Sequence, residues 1–346
     1  MLFKIGTKTP ISLIYDLFCD IFMMQTIPHK TKQFFFVLIK ISIVIVAFYF
    51  IYNKLINNKE LNFSDLINLL IKNDVFSLKN SLIILLLTSF NWILEILKWQ
   101  NLVKPWHALG FKDAMKQSLS ALTISIITPN RIGEYGAKVL YYNKESRKRI
   151  LLLNFLGNMS QMLITTVFGS IGLVMFSIHY AIKINFYKPA LFLIIGLLLI
   201  VLTRLFLKKN KLKLKGFSIE KLKQFLLNYP KKNFLLVIWF SLVRYTLFTF
   251  QFYFLLHILD VKLSYFTAII PISSMYLIAS IIPTINIFDL VIKGSVGVYL
   301  FKFLGVNPVF ILVVTTTMWL LNFALPSVIG SYFVLNFNSE KNKIDI

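Results

Sequence analysis

Two stretches of this sequence set a carboxylate four residues ahead of a lysine, shortly after a proline: Thr128-Pro-Asn-Arg-Ile-Gly-Glu-Tyr-Gly-Ala-Lys138 and Ile282-Pro-Thr-Ile-Asn-Ile-Phe-Asp-Leu-Val-Ile-Lys293. On a helix these side chains are neighbours, and acid before base is the favourable order, so Glu134–Lys138 and Asp289–Lys293 are expected ion pairs. In water such pairs are ordinary surface features. Within an apolar chain they are costly, about 2.5–3.5 kcal/mol per charge at mid-bilayer on insertion scales, and retained charges are paired or functional. Arg131 adds an anion-binding element. The helix restarts after Pro129 and Asn130, so free backbone N–H groups and a guanidinium converge on one spot, and arginine matches a phosphate with two parallel bonds. The candidate substrate-binding set is therefore Asn130, Arg131, Glu134 and Lys138 in the first stretch, with Asn286, Asp289 and Lys293 in the second. Glu134 and Asp289 either meet a cationic headgroup substituent or take up protons that drive a conformational cycle; the sequence does not choose.

Two further charges are candidate supports. Glu95 lies in Asn91-Trp-Ile-Leu-Glu-Ile-Leu-Lys-Trp99, where the pairing with Lys98 and the two tryptophans read first as an interfacial anchor. Arg244 either neutralises Glu134 or Asp289, or snorkels to the membrane edge. Asn158, Gln161, Gln251 and Asn322 are expected to join helices to one another. No catalytic residue, metal site or cofactor is expected. The histidines at 29, 107, 179 and 257 are scattered, Cys19 is the single cysteine, no cluster has metal-ligand spacing, and no phosphate-cradling G-x-x-x-x-G-K-[ST] loop occurs.

The elements that must hold these residues are membrane helices. The chain of 346 residues is 57% hydrophobic with a mean hydropathy of +0.74, too apolar to hide in one soluble core. Lys and Arg number 37 against 14 Asp and Glu, a net +23. The basic residues sit between apolar runs, where lipid phosphates and the positive-inside rule place them, and no polar domain exists to bind nucleic acid. Segments of about 20 apolar residues run over 33–52, 81–98, 150–178, 188–206, 233–258 and 308–337, which predicts six full spans. Segments 112–142 and 263–303 begin apolar, break at a proline and continue as charged helices, so both are expected to be re-entrant hairpins whose freed carbonyls face protein or water. With that topology the loops 98–112, 142–150 and 204–232 and both termini share one face carrying about 23 Lys and Arg, against about 7 opposite, which marks that face as cytoplasmic. Full crossing of both segments, giving eight spans, separates the charges less well.

The expected architecture is an all-α polytopic membrane protein in an inverted-topology repeat. From the second span to the proline is about 48 residues in one half and about 50 in the other, with an offset of about 154 between motifs. The repeats fall at about 33–178 and 188–337. Residues 1–32, whose apolar stretch is interrupted by Asp16 and Asp20, read either as an interfacial amphipathic helix or as sequence upstream of a start at Met23 or Met24. Residues 338–346 are expected to be a cytoplasmic tail.

At these motifs the chain resembles the lysylphosphatidylglycerol synthase transmembrane-region family, the flippase-like domain of the multiple peptide resistance factor. The likeness is carried by Thr128 through Glu134 with Tyr135 and Lys138, by Trp92, Lys98 and Trp99, by Pro283 to Lys293, and by Trp319 through Asn322 and Pro326 to Gly330. The second motif has Ile285-Asn-Ile-Phe-Asp289 where glycine pairs are common in the family. The resemblance implies translocation of a polar lipid headgroup across a bacterial inner membrane. It does not imply aminoacyl transfer, since only Asn338 to Ile346 follows the membrane part. The expected partner is a membrane phospholipid or lipid-linked substrate; the oligomeric state is open. Two other readings stay available. One is an enzyme or accessory subunit of lipid or glycan assembly using a lipid-linked donor, with Glu60, Asp65 or Asp74 as its acids. The other is a non-transporting scaffold for a lipid- or glycan-modifying envelope enzyme.

Overall fold

The computed structural model describes residues 77–126, 128, 131–180, 225, 227–282, 286–338 and 344, with isolated positions at 45, 68 and 71. The N-terminal segment, the segments 33–52 and 188–206, Pro129, Asn130, Pro283, the acids Glu60, Asp65 and Asp74, and the side chain of Asn286 lie outside the described residues. What is described is helical: α1 Leu78–Val103, α2 Phe111–Ile126, α3 Ile132–Leu140, α4 Arg147–His179, α5 Lys231–Ile258, α6 Tyr265–Ile281, α7 Asn286–Lys302 and α8 Pro308–Leu335. Four of them, α1, α4, α5 and α8, are long and apolar enough to cross a membrane.

Local chemistry sets the boundaries. The Ser77 hydroxyl caps α1 by accepting from the Asn80 amide, and Ser264 caps α6 in the same way through Thr267. Asn307 caps α8, with Pro308 in the first turn where its missing N–H is harmless. α2 stops at Ile126 and α6 at Ile281, each shortly before a proline that cannot continue the helix. One departure from a plain span occurs in α8, which contains a π-helical turn at Leu320–Ala324. Pro326 lacks an N–H and crowds the carbonyl four residues back, that of Asn322. The widened turn turns this carbonyl to a new donor, the Trp92 indole of α1, at 3.3 Å.

The packing has a regular plan. α1 lies against α5, α4 against α6, and α2 against the last part of α8, while α2–α3 and α6–α7 form hairpins resting on α4 and α8 at their second arms. Exchanging the first four helices with the last four maps this set of neighbours onto itself. Glycine makes both cross-packings close. A Cβ on Gly330 of α8 would lie 2.2 Å from the Leu119 carbonyl oxygen of α2, and one on Gly169 of α4 would lie 2.5 Å from the Leu277 Cβ of α6. Lipid offers no hydrophobic drive between helices, so such backbone approach is what holds them. The outer surface of α4 is correspondingly apolar, with Leu163, Val167, Ile171 and Val174 exposed at helical spacing.

Two apolar clusters close the ends of the bundle. At one, Trp106 stacks on Phe225 at 5.5 Å, Arg149 lies over the same indole, and Tyr229 donates to the Leu102 carbonyl. Ile344 of the tail bonds through its N–H to the Tyr141 carbonyl at 2.9 Å. Residues from 98–112, 142–150, 225–232 and the tail therefore meet at one end. At the other end Phe176 and Tyr180 pack on Phe303, in one cluster with Leu259, Val261 and Val306.

Candidate functional site

Polar residues gather between these clusters, on stripes of otherwise apolar helices. α1 carries Thr88, Asn91, Glu95 and Lys98 at steps of three and four, which is one face of a helix. All four are buried. α5 answers with Ser241, Arg244 and Gln251 on its own inward face, and α8 contributes Asn322 from the π turn.

At the head of α3, Arg131 occupies the N-cap in the left-handed region, with φ of 58°. That conformation costs a non-glycine residue about 1–2 kcal/mol. It is held by the Thr128 hydroxyl, which accepts from the Gly133 amide at 2.9 Å, and by the Glu134 amide donating to the Arg131 carbonyl at 3.0 Å. The turn throws the guanidinium back over the first helical turn, where it meets Glu134 Oε2 at 3.1 Å. Lys138, one turn further along α3, reaches Glu134 Oε1 at 2.9 Å, donates to Asn154 Oδ1 of α4 at 2.8 Å, and lies 4.2 Å above the Trp99 ring of α1. Glu134 and Lys138 are both buried, their side chains 3% exposed, whereas Arg131 is 39% exposed.

A second triad stands beside it. Glu95 accepts from Lys98 at 2.7 Å and from Arg244 of α5. Each buried carboxylate is thus held between two cations, the arrangement that desolvated charges require. The two triads sense each other: the Arg131 guanidinium lies in the fields of Glu134, Glu95 and Asp289, and Arg244 in those of Glu95, Arg131 and Glu134. From Arg244 a hydrogen-bond chain continues into the bundle, through Asn91 Oδ1 at 3.0 Å, then Asn322, Gln251 and Thr88.

The second broken segment differs. Lys293 donates to Asp289 Oδ2 at 2.6 Å, and its ammonium lies 5.5 Å from the Tyr276 ring and 5.6 Å from that of Phe323. Both side chains are about one-fifth exposed and border a cleft lined by Phe248, Tyr276, Trp319 and Phe323. α7 touches α2, so the two hairpins approach each other.

The structure therefore groups Arg131, Glu134 and Lys138, with Glu95 and Arg244 adjacent and the Asp289–Lys293 pair within electrostatic range. Two readings of the sequence are corrected. Glu95 and Lys98 do not anchor an interface: both are buried inside the bundle, Glu95 bound to Arg244 of α5 and Lys98 to Glu95. Arg244 neither snorkels nor ion-pairs with Glu134 or Asp289; it is 14% exposed and bound to Glu95. Asn158 donates to Tyr135 and Gln161 to the Ser241 carbonyl, while Gln251 and Asn322 join α1, α5 and α8. Asn154, which holds Lys138, and Asn91, which holds Arg244, were not recognised in advance. Asn154 lies one turn before Asn158 on a stripe completed by Gln161, and that spacing was the available signal.

No curated protein and no solved structure matches the chain. A family model, that of the lysylphosphatidylglycerol synthase TM region, matches residues 37–330, and the chain belongs to that family.

Proposed function

We propose that the protein moves a polar or anionic lipid headgroup across a bacterial inner membrane, acting as a carrier rather than an enzyme. The observation that carries this reading is the pair of charge triads on Glu95 and Glu134, buried among apolar helices, with the Glu134 triad in the first turns after the break at Pro129. Charges are retained at such depth where they are paired and used, and broken helices in membrane carriers line the substrate path. Membership in the family supports a membrane lipid-related role.

The proposed topology is six spans with two re-entrant hairpins entering from opposite faces, an inverted repeat with both termini in the cytoplasm. Its support is the packing. The flanks of α2–α3, at Trp106 and Tyr142, belong to one end cluster, and the flanks of α6–α7, at Val261 and Phe301, belong to the other. Each hairpin would then leave by the face it entered. Reconstitution into proteoliposomes tests the carrier reading. Arg131→Gln and Asp289→Asn are expected to insert normally and to lose headgroup movement between leaflets; normal movement in both would reject the site. Side-specific labelling of single cysteines near Arg131 and Asp289, in a background lacking Cys19, tests alternating access. Reactivity of each from one face alone under all conditions would favour a scaffold.

A further inference from the structure

The charge balance of the site selects among headgroups. The two triads hold four cations, Lys98, Arg131, Lys138 and Arg244, on two carboxylates, Glu95 and Glu134. The neighbouring Asp289 does not alter the balance, because Lys293 already answers it. The described residues thus leave two positive charges in excess inside a membrane bundle, where an uncompensated charge is expensive. The spare donors point the same way. Arg131 Nε and Asn154 Nδ2 are enclosed and have no acceptor among the described residues, although buried donors ordinarily find one. Arg131 belongs to the Glu134 triad and Asn154 borders it through Lys138, and of the six charged side chains Arg131 is the open one.

We propose that the site takes a dianionic phosphate headgroup, a lipid phosphomonoester, in preference to a singly charged phosphodiester or a zwitterion. This rests on the carrier reading for its lipid and narrows the headgroup. A phosphomonoester brings close to two negative charges and three acceptor oxygens, which match two excess cations and the free donors on Arg131 and Asn154. A phosphodiester leaves one cation unanswered, and a zwitterion leaves both.

Binding to the purified full chain in detergent, at about pH 7 where a phosphomonoester carries about 1.5–2 negative charges, tests this without any transport step. The probes are dioleoyl phosphatidic acid, dioleoyl phosphatidylmethanol with the same chains and one charge, dioleoyl phosphatidylcholine, and inorganic phosphate. Phosphatidic acid is expected to bind at least about tenfold more tightly than phosphatidylmethanol, with phosphatidylcholine weaker still. Arg131→Gln should erase that preference. The double variant Asp113→Asn with Lys116→Gln, which removes one charge of each sign from an exposed pair outside both triads, should keep it. Equal binding of the two anionic lipids, or a preference indifferent to Arg131→Gln, overturns the proposal. Inorganic phosphate bound as tightly as phosphatidic acid overturns its lipid part and leaves an anion site. A phosphomonoester preference without lipid movement in proteoliposomes defeats the carrier reading alone, and movement without the preference defeats this inference alone.

Discussion

The two broken segments share a sequence pattern, a carboxylate and a lysine four apart beyond a proline, yet they are built into different environments. In the first, Glu134 is sealed between Arg131 and Lys138 and linked through Trp99 and Asn154 to α1 and α4. In the second, Asp289 and Lys293 form a simple pair, about one-fifth exposed beside an aromatic cleft. The same local motif thus yields one rigid, cation-rich cluster and one neutral, accessible pair. A helix can dictate that two side chains meet, but neighbouring helices decide whether the meeting is dry.

The largest test of that contrast is thermal or denaturant unfolding of the purified protein in detergent. Glu134→Gln strands Lys138 and Arg131, and breaking a buried ionic group costs about 3–5 kcal/mol. The double variant Glu134→Gln with Lys138→Met should recover much of that loss, and failure to do so would show that the triad is not a coupled unit. A smaller effect is expected from Gly330→Ala, which forces a Cβ against the Leu119 carbonyl and loosens α2 beneath the first hairpin. Overpacking of this kind costs about 1–3 kcal/mol. Gly169→Ala should match it for α6 and the second hairpin, and a marked inequality would break the correspondence between the halves. The smallest effect belongs to Asp289→Asn. A partly exposed pair contributes about 1 kcal/mol or less, so this variant should melt close to the parent. A loss as large as that for Glu134→Gln would erase the distinction between the two sites.

Much of the membrane character was legible in advance. The apolar runs at 81–98, 150–178, 233–258 and 308–337 correspond to α1, α4, α5 and α8, because length and hydropathy suffice to specify a spanning helix. The breaks before Pro129 and Pro283 were equally readable, since proline removes a donor wherever the chain goes. The π turn in α8 was not. Pro326 announced a disturbance, but its resolution needed the Trp92 indole of another helix to take up the Asn322 carbonyl. Arg244 was ambiguous for a similar reason: Glu134, Asp289 and the membrane edge were all open to it in the sequence, and only the packing of α5 against α1 brings it to Glu95.

Composition, periodicity and proline placement alone determined a basic, polytopic helical membrane protein with two interrupted segments and an ion pair on each, because all of these depend on contacts within a few residues. Tertiary structure decided which cations share a carboxylate, that Lys98 and Asn154 belong to the site, and that the first cluster is dry and the second open. Those outcomes depend on where side chains far apart in the chain meet, and helical periodicity gives the direction of a side chain around its own axis without naming the neighbour it will face.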